Sequence, residues 1–173
     1  GYKLQLLHGS IPFERQCTAM RPVKEGRKIV LATSIAETSL TIEDIRVVVD
    51  GGKARRAEFD PSTGMERLVT TRVSKHEATQ RMGRAGRIAA GHCYKFWSRP
   101  EDGGLPVSPT AEMNVADLSS LALELALWGA KVTTLAFLSP PNPMRLAEAQ
   151  SLLSTLSALS ADGNITEHGK ALA

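Results

Sequence analysis

The sequence predicts an α/β protein: a parallel sheet with helices on both faces, a protruding β-hairpin, and then a mostly helical segment. Three observations lead there. The first half contains short, continuous, β-branched runs separated by helical or loop stretches, as strands of a covered parallel sheet do. Residues 53–73 change to a charged, alternating pattern with turn signals at Asp60-Pro61 and Thr63-Gly64, which suits a hairpin. From 115 onward, leucines recur at helical spacing.

In order, "LQLLHG" (4–9) reads as a short buried strand ending in glycine. "SIPFERQCTAMR" follows as a helix, with Pro12 suited to a first turn and Glu14 near the positive end of the dipole. "RKIVLAT" (27–33) and "IRVVVDGG" (45–52) are the next strands. After the hairpin a helix begins at Ser74, a good N-cap, and "GHCYKFW" (91–97) returns to a strand. "RPEDGGLPVSPT" (99–110), rich in Gly and Pro, looks like a linker. "VADLSSLALELALWGA" (115–130) predicts a core helix whose stripe of Leu118, Leu121 and Leu125 is widened by Leu123, Leu127 and Trp128. A Pro-started helix, an "ADGN" turn and a strand-like "NITEHG" suit the start of a winged helix. The expected division is 1–104 for the sheet domain, with the hairpin at about 53–73, and 105–173 for linker and winged helix.

The 173 residues are 42% hydrophobic, 23% charged and 5% aromatic, enough for one ordinary domain with a small addition. No apolar run approaches the ~20 residues of a bilayer span, and "GYKLQLLHGS" lacks the layout of a signal peptide; a cytoplasmic protein with no membrane partner is expected. Cys17 and Cys93 stand far apart, and their spacing to His8 and His92 matches no zinc pattern, so idle thiols and no metal are expected. Net charge is +3, but residues 51–91 hold nine Lys/Arg against four Asp/Glu, a local +5, while 105–173 hold three against six, a local −3. A polyanion is expected to bind the middle.

Two stretches could carry chemistry. "QRMGRAGR" (80–87) puts three arginines and two glycines into eight positions, although each glycine costs a helix interior ~1 kcal/mol relative to alanine. Gln80, Arg84 and Arg87 stand at i, i+4 and i+7, one stripe if the helix continues. Arg81 projects elsewhere, so replacing it should be the milder change. Gly83 and Gly86 would let a phosphate come near. Guanidinium groups bind phosphoryl oxygens in bidentate fashion, and a glutamine can orient an attacking water. An arginine-rich surface helix is the plain alternative. In "VLATSIAETSLTIEDIRVVVDGG" (30–52), a buried strand runs into a hydroxyl-rich loop. Thr33, Ser34, Thr38, Ser39 and Thr41 could contact phosphates at a strand's C-terminal end, or merely cap turns.

"ATSIAETSLTI" resembles motif V of DEAH-box ATP-dependent RNA helicases, and "QRMGRAGR" resembles their motif VI. The roughly forty-residue separation and the intervening hairpin also match. "LHGSIPFERQ" resembles the segment after motif IV, "FLSPPNPMRLAEAQSLLSTLSALSADGNIT" the winged-helix start, and "LALELALWGA" the bacterial HrpB-type branch. The resemblance implies a RecA-like fold, the second of two domains that sandwich ATP. Arg84 and Arg87 would then be arginine fingers, Gln80 would place the hydrolytic water, and Gly83 would line the nucleotide. Glu43 stands where the family often has aspartate, and Asp44 beside it is the substitute. Thr33, Ser34 and Ser39 would contact RNA, with Ser34 standing where asparagine is usual and Met82 where alanine is. Arg55 and Arg56, with Arg67 and Arg72, would steer nucleic acid along a hairpin that separates strands. RNA is the implied partner, with single-stranded DNA a second candidate. No GxxxxGK[ST] loop or Asp-Glu-Ala-His tetrapeptide occurs in these residues, so the ligands for ATP phosphates and Mg²⁺ are expected on the first RecA-like domain of a longer chain, and the fragment alone is expected to be inactive. A stand-alone nucleic-acid-binding module or a regulatory domain of helicase shape are the alternatives.

Overall fold

The computed structural model describes residues 1–37, 40–60 and 63–173. The chain divides into two units, Gly1–Arg55 with Thr70–Pro109, and Arg56–Val69 with Thr110–Ala173.

In the first unit the expected strands form: β1 (Tyr2–Leu7), β2 (Arg27–Ala32) and β3 (Val47–Asp50). With β6 (His92–Lys95) they fall into two parallel pairs, β1 with β2 and β3 with β6. Helix α1 (Phe13–Met20) makes the crossover between β1 and β2, as parallel pairing requires. Leu7, Ala19 and Ile42 are buried together, joined by Val30, Ile35, Leu40 and Ile45. The strand expected to be buried at 4–9 is not: β1 buries only Leu7, and Leu4 and Leu6 are exposed, as are Ile29, Leu31, Val47 and Val49, each in a sheet only two strands wide.

Helix α2 (Lys75–Met82) starts where Ser74 predicts, through a capping box. Ser74 N–H donates to Glu77 Oε2 (2.7 Å) and Glu77 N–H donates to Ser74 Oγ (3.2 Å), which satisfies two amides the helix cannot pair itself. The helix is shorter than the stripe 80–87 needs. It ends at Met82, and Gly83 to Gly86 form a turn, with Gly83 N–H bonded back to Thr79 O (2.9 Å). The stretch expected as a linker is partly helical and partly buried. Arg99–Gly103 forms α3, capped by Ser98. Leu105 is buried against Ala54, Val73 and Ala78, with Trp97 alongside. Lys75 and His76 N–H donate to Pro106 O and Val107 O (2.8 and 3.1 Å).

Strands β4 (Lys53–Asp60) and β5 (Met65–Arg72) pair as the predicted hairpin. At its turn Gly64 adopts φ +67° and donates to Asp60 O (2.9 Å), a conformation glycine takes without strain; Pro61 and Ser62 lie outside the described residues. The hairpin's outer part, Arg56–Val69, belongs to the second unit, where Phe59 N–H donates to Val115 O (3.2 Å). Helices α4 (Ser119–Trp128) and α5 (Pro143–Thr155) build that unit's core from Leu118, Ala122, Leu123, Ala149, Leu153, Ala158 and Leu159. Asn142 Oδ1 accepts from Met144 N–H (2.9 Å), so α5 starts at proline as expected. Two expectations fail here. Trp128 is 70% exposed and Leu127 42%; both lie in the last turn of α4, which Gly129 at φ +66° ends. "NITEHG" contributes a single bridge, Ile165 to Leu159, and then the short helix α6 (Glu167–Leu172).

Candidate functional site

The C-terminal ends of β2 and β3 and the turn after α2 meet in the first unit. Thr33 follows β2, its N–H bonded to Leu7 O (3.1 Å), and caps a short 3-10 turn, Ser34–Ala36. Glu37, Leu40 and Thr41 lie near the end of α2, where the three arginines of 80–87 hold them. Arg81 Nε and Nη2 donate to Glu37 Oε1 (2.7 and 2.5 Å), and its Nη1 donates to Asp50 Oδ1 (2.8 Å) and Lys53 O (3.2 Å). Arg84 Nη1 donates to Leu40 O (2.6 Å) and its Nη2 to Glu37 O. Arg87 Nη1 donates to Thr41 Oγ1 (2.8 Å).

Electrostatics differ among the three. Burial works against the Arg81 charge, but the hydrogen bonds it donates to Glu37 and Asp50 outweigh that and raise its pKa. Burial lowers the Arg84 pKa, the nearby Arg87 charge lowers it further, and Glu37 opposes both. Arg84 is 8% exposed, and its Nε is buried with no hydrogen-bond partner among the described residues; the same holds for Asp50 Oδ2.

Gln80, Gly83, Arg84 and Arg87 come together with Glu37 around a cavity of about 320 Å³. Sequence spacing alone proposed Gln80, Arg84 and Arg87 as one stripe. The structure unites them by a turn rather than a continuing helix. Gln80 Nε2 lies 2.9 Å from His76 Nε2. A Cβ on Gly83 would stand 3.4 Å from Gln80 O, ordinary contact, and one on Gly86 would meet nothing within 4 Å. Gly91, by contrast, is required, since its Cβ would stand 2.2 Å from Ala85 O.

A second, larger cavity of about 730 Å³ is lined by β2 and β3, by Thr33 and Ser34, and by Glu37, Arg81 and Arg84. No residue of β1 or β6 lines it, so it opens along the strand edges that those partners leave free. Thr33 and Ser34 are exposed there; Thr38 and Ser39 lie outside the described residues.

Glu43 and Asp44 line neither cavity. Glu43 N–H donates to Met20 O (3.1 Å), and Lys28 Nζ donates to Glu43 O (3.2 Å) and to Arg21 O (2.7 Å), which ties this corner to the end of α1. Burial lowers the Lys28 pKa against the opposing charges of Asp44 and Glu43. Arg55 is exposed and Arg56 half-buried on β4, and neither lines a cavity. Arg72 pairs with Glu101. Sequence reasoning missed Glu37, and it set Arg81 off the stripe without finding the carboxylates it meets. The available signal was that Glu37 is the one acidic side chain between 30 and 42, set after the apolar Ile35 and Ala36.

The helicase conserved C-terminal domain matches residues 1–89. The chain is 43% identical over 155 residues to the ATP-dependent RNA helicase HrpB of Escherichia coli, covering 88% of this chain and 19% of that protein. It is 38% identical over 171 residues to the pre-mRNA-splicing factor ATP-dependent RNA helicase prp22 of Schizosaccharomyces pombe, covering 96% and 15%. The crystal structure of the Escherichia coli DEAH/RHA helicase HrpB superposes with a TM-score of 0.91 at 40% identity, over 97% of this chain and 22% of that one. The chain thus spans between 15% and 22% of the length of these relatives. With parallel strands, α1 between β1 and β2, and the two motifs joined through Glu37, it belongs to the helicase conserved C-terminal domain family, in the RecA-like form found in DEAH-box ATP-dependent RNA helicases such as HrpB and HrpA.

Proposed function

We propose that residues 1–104 are the second RecA-like domain, and 105–173 the linker and winged-helix beginning, of a cytoplasmic helicase that couples ATP hydrolysis to movement on single-stranded RNA. The observation that carries this is the convergence of Gln80, Gly83, Arg84 and Arg87 on one cavity. The cationic wall suits phosphate oxygens. Arg84 Nε is a buried donor without a partner among the described residues, and among those residues nothing crowds Gly83, so this glycine of the cavity wall suits something brought against it from outside. ATP fits this wall, with Arg84 and Arg87 holding its phosphates and Gln80 orienting a water. Bound there, ATP supplies the transferable phosphoryl group.

Magnesium does not fit these residues: among those described, no group of three or more His, Cys, Asp or Glu side chains is placed to hold a metal. Its ligands, and the phosphate-cradling loop, belong in this proposal to a first RecA-like domain. Thr33 and Ser34, exposed at the end of β2, are the proposed RNA contacts, with Ser39 beside them in sequence, and Arg55 and Arg56 the hairpin's contribution. The free edges of β2 and β3 along one cavity support completion of the sheet by a further strand of the whole helicase.

The test is turnover by the full-length helicase. Arg84→Lys keeps charge and loses the planar fork, and Arg87→Ala removes the second guanidinium. Each should leave ATP binding largely intact and slow hydrolysis by about 10³- to 10⁵-fold, since a finger acts on the transition state. Near wild-type turnover in both variants would overturn the proposal.

A further inference from the structure

Glu37 and Arg84 are the side chains that the Thr33/Ser34 cavity shares with the Gln80/Gly83/Arg87 cavity. Glu37 is gripped twice by one octapeptide. Arg81 takes its carboxylate through Nε and Nη2 (2.7 and 2.5 Å), and Arg84 takes its carbonyl through Nη2. Arg81 is itself anchored to the sheet by Asp50 Oδ1 at the end of β3 and by Lys53 O at the start of β4. Asp50 Oδ1 also accepts from Gly52 N–H (2.9 Å), so the anchor is fixed to its own turn. The Arg81 side chain is 18% exposed, that of Glu37 11% and that of Asp50 1%, so solvent weakens this linkage little.

A planar guanidinium with donors at fixed angles holds three acceptors in one geometry, which a flexible ammonium cannot do. The Glu37 carbonyl is therefore set by its own side chain, and that carbonyl is one of the two oxygens that orient the Arg84 guanidinium; Leu40 O is the other. We propose that Arg81 and Glu37 are positioning residues: braced on Asp50, they fix the backbone that aims Arg84 into the cavity it shares with Gln80 and Arg87. The consequence for turnover rests on the helicase function proposed above. The aim of the guanidinium does not.

An ion pair that only stabilises the fold would leave Arg84 where it is once the protein is folded, so the experiment reads Arg84 directly. The arginine Nε–H signals of the 173-residue chain are recorded by NMR, with Arg84 assigned by its loss in Arg84→Lys and Arg145 as the reference. Arg81→Lys keeps the charge and Glu37→Gln keeps the shape. In both folded variants the Arg84 signal should shift and its hydrogen exchange quicken by about tenfold or more, while Arg145 stays unchanged. An unmoved Arg84 signal in both overturns the proposal. In the full-length helicase either variant should lower kcat by about 10- to 100-fold with little change in KM for ATP, and Glu37→Gln should add almost nothing once Arg84→Lys is present. Full additivity on Arg84→Lys overturns it as well. Should Arg84→Lys and Arg87→Ala both leave turnover near wild type, the helicase function fails, and the NMR measurement still decides the brace.

Discussion

Arg81→Ala removes the cation between two carboxylates that are 11% and 1% exposed. Breaking a buried pair by deleting one partner costs about 3–5 kcal/mol, because the remaining charge stays desolvated and unpaired. Arg81 retains some exposure, and water reaching the gap would screen part of the penalty, so the lower end, about 3 kcal/mol, is expected. Domain stabilities run to about 5–15 kcal/mol, so this is a large fraction. For a chain of this size the melting midpoint should fall by about 6–12 °C. The assay is thermal and urea denaturation of the purified chain, followed through the transition of the first unit. A second variant separates causes: adding Glu37→Gln and Asp50→Asn to Arg81→Ala leaves neutral groups in place of stranded charges, and the triple variant should melt above Arg81→Ala alone. If Arg81→Ala melts within about 2 °C of wild type, the guanidinium is not the brace described here. If the triple variant is no better, lost packing rather than unpaired charge accounts for the cost.

Thr33→Val should weaken RNA binding by the chain without lowering its melting midpoint, because Thr33 joins the sheet through its backbone and its side chain is exposed; affinity should fall steeply with salt as counterions are released, and a salt-indifferent affinity would contradict it. Hydrogen bonds from Lys95 Nζ (2.9 Å) and Trp97 Nε1 (2.8 Å) hold the Asp102 pKa below its ordinary 3.8. The folded value is depressed, so its contribution is present above 3.8 and is lost as pH falls through the lower folded value; Asp102→Asn should melt below wild type at neutral pH, with the gap closing in acid, and a constant gap would refute it. Gly91→Ala would place a Cβ 2.2 Å from Ala85 O, and the resulting backbone shift should cost ~1–3 kcal/mol by denaturation; an unchanged midpoint would mean that the 83–91 turn yields freely.

Much of the fold is written locally, and that part was legible. Runs of β-branched residues define β2 and β3, Ser74 with Glu77 starts α2, and Asn142-Pro143 starts α5. Each depends on neighbours within a few residues. The candidate site was legible in its cast but not in its construction. Periodicity put Gln80, Arg84 and Arg87 on one helical face, yet the helix stops at Met82, as two glycines in four positions invite. What reunites them is contact with Glu37, Leu40 and Thr41, more than forty positions away in sequence: Arg81 to Glu37, Arg84 to Leu40 and Arg87 to Thr41. No window of periodicity spans that distance. The same limit hid the partners of Arg81. Spacing set it off the stripe but did not say what it meets; a side chain that leaves the ligand-facing stripe of a short helix must point toward the sheet or toward solvent, and here two buried carboxylates lie in its way. Buried acids are rarely left without a partner. An isolated acid in an apolar-to-hydroxyl loop such as "SIAETS" and an arginine beside a glycine-ended helix are therefore each other's best candidates, which is a pairing argument from burial chemistry rather than from spacing.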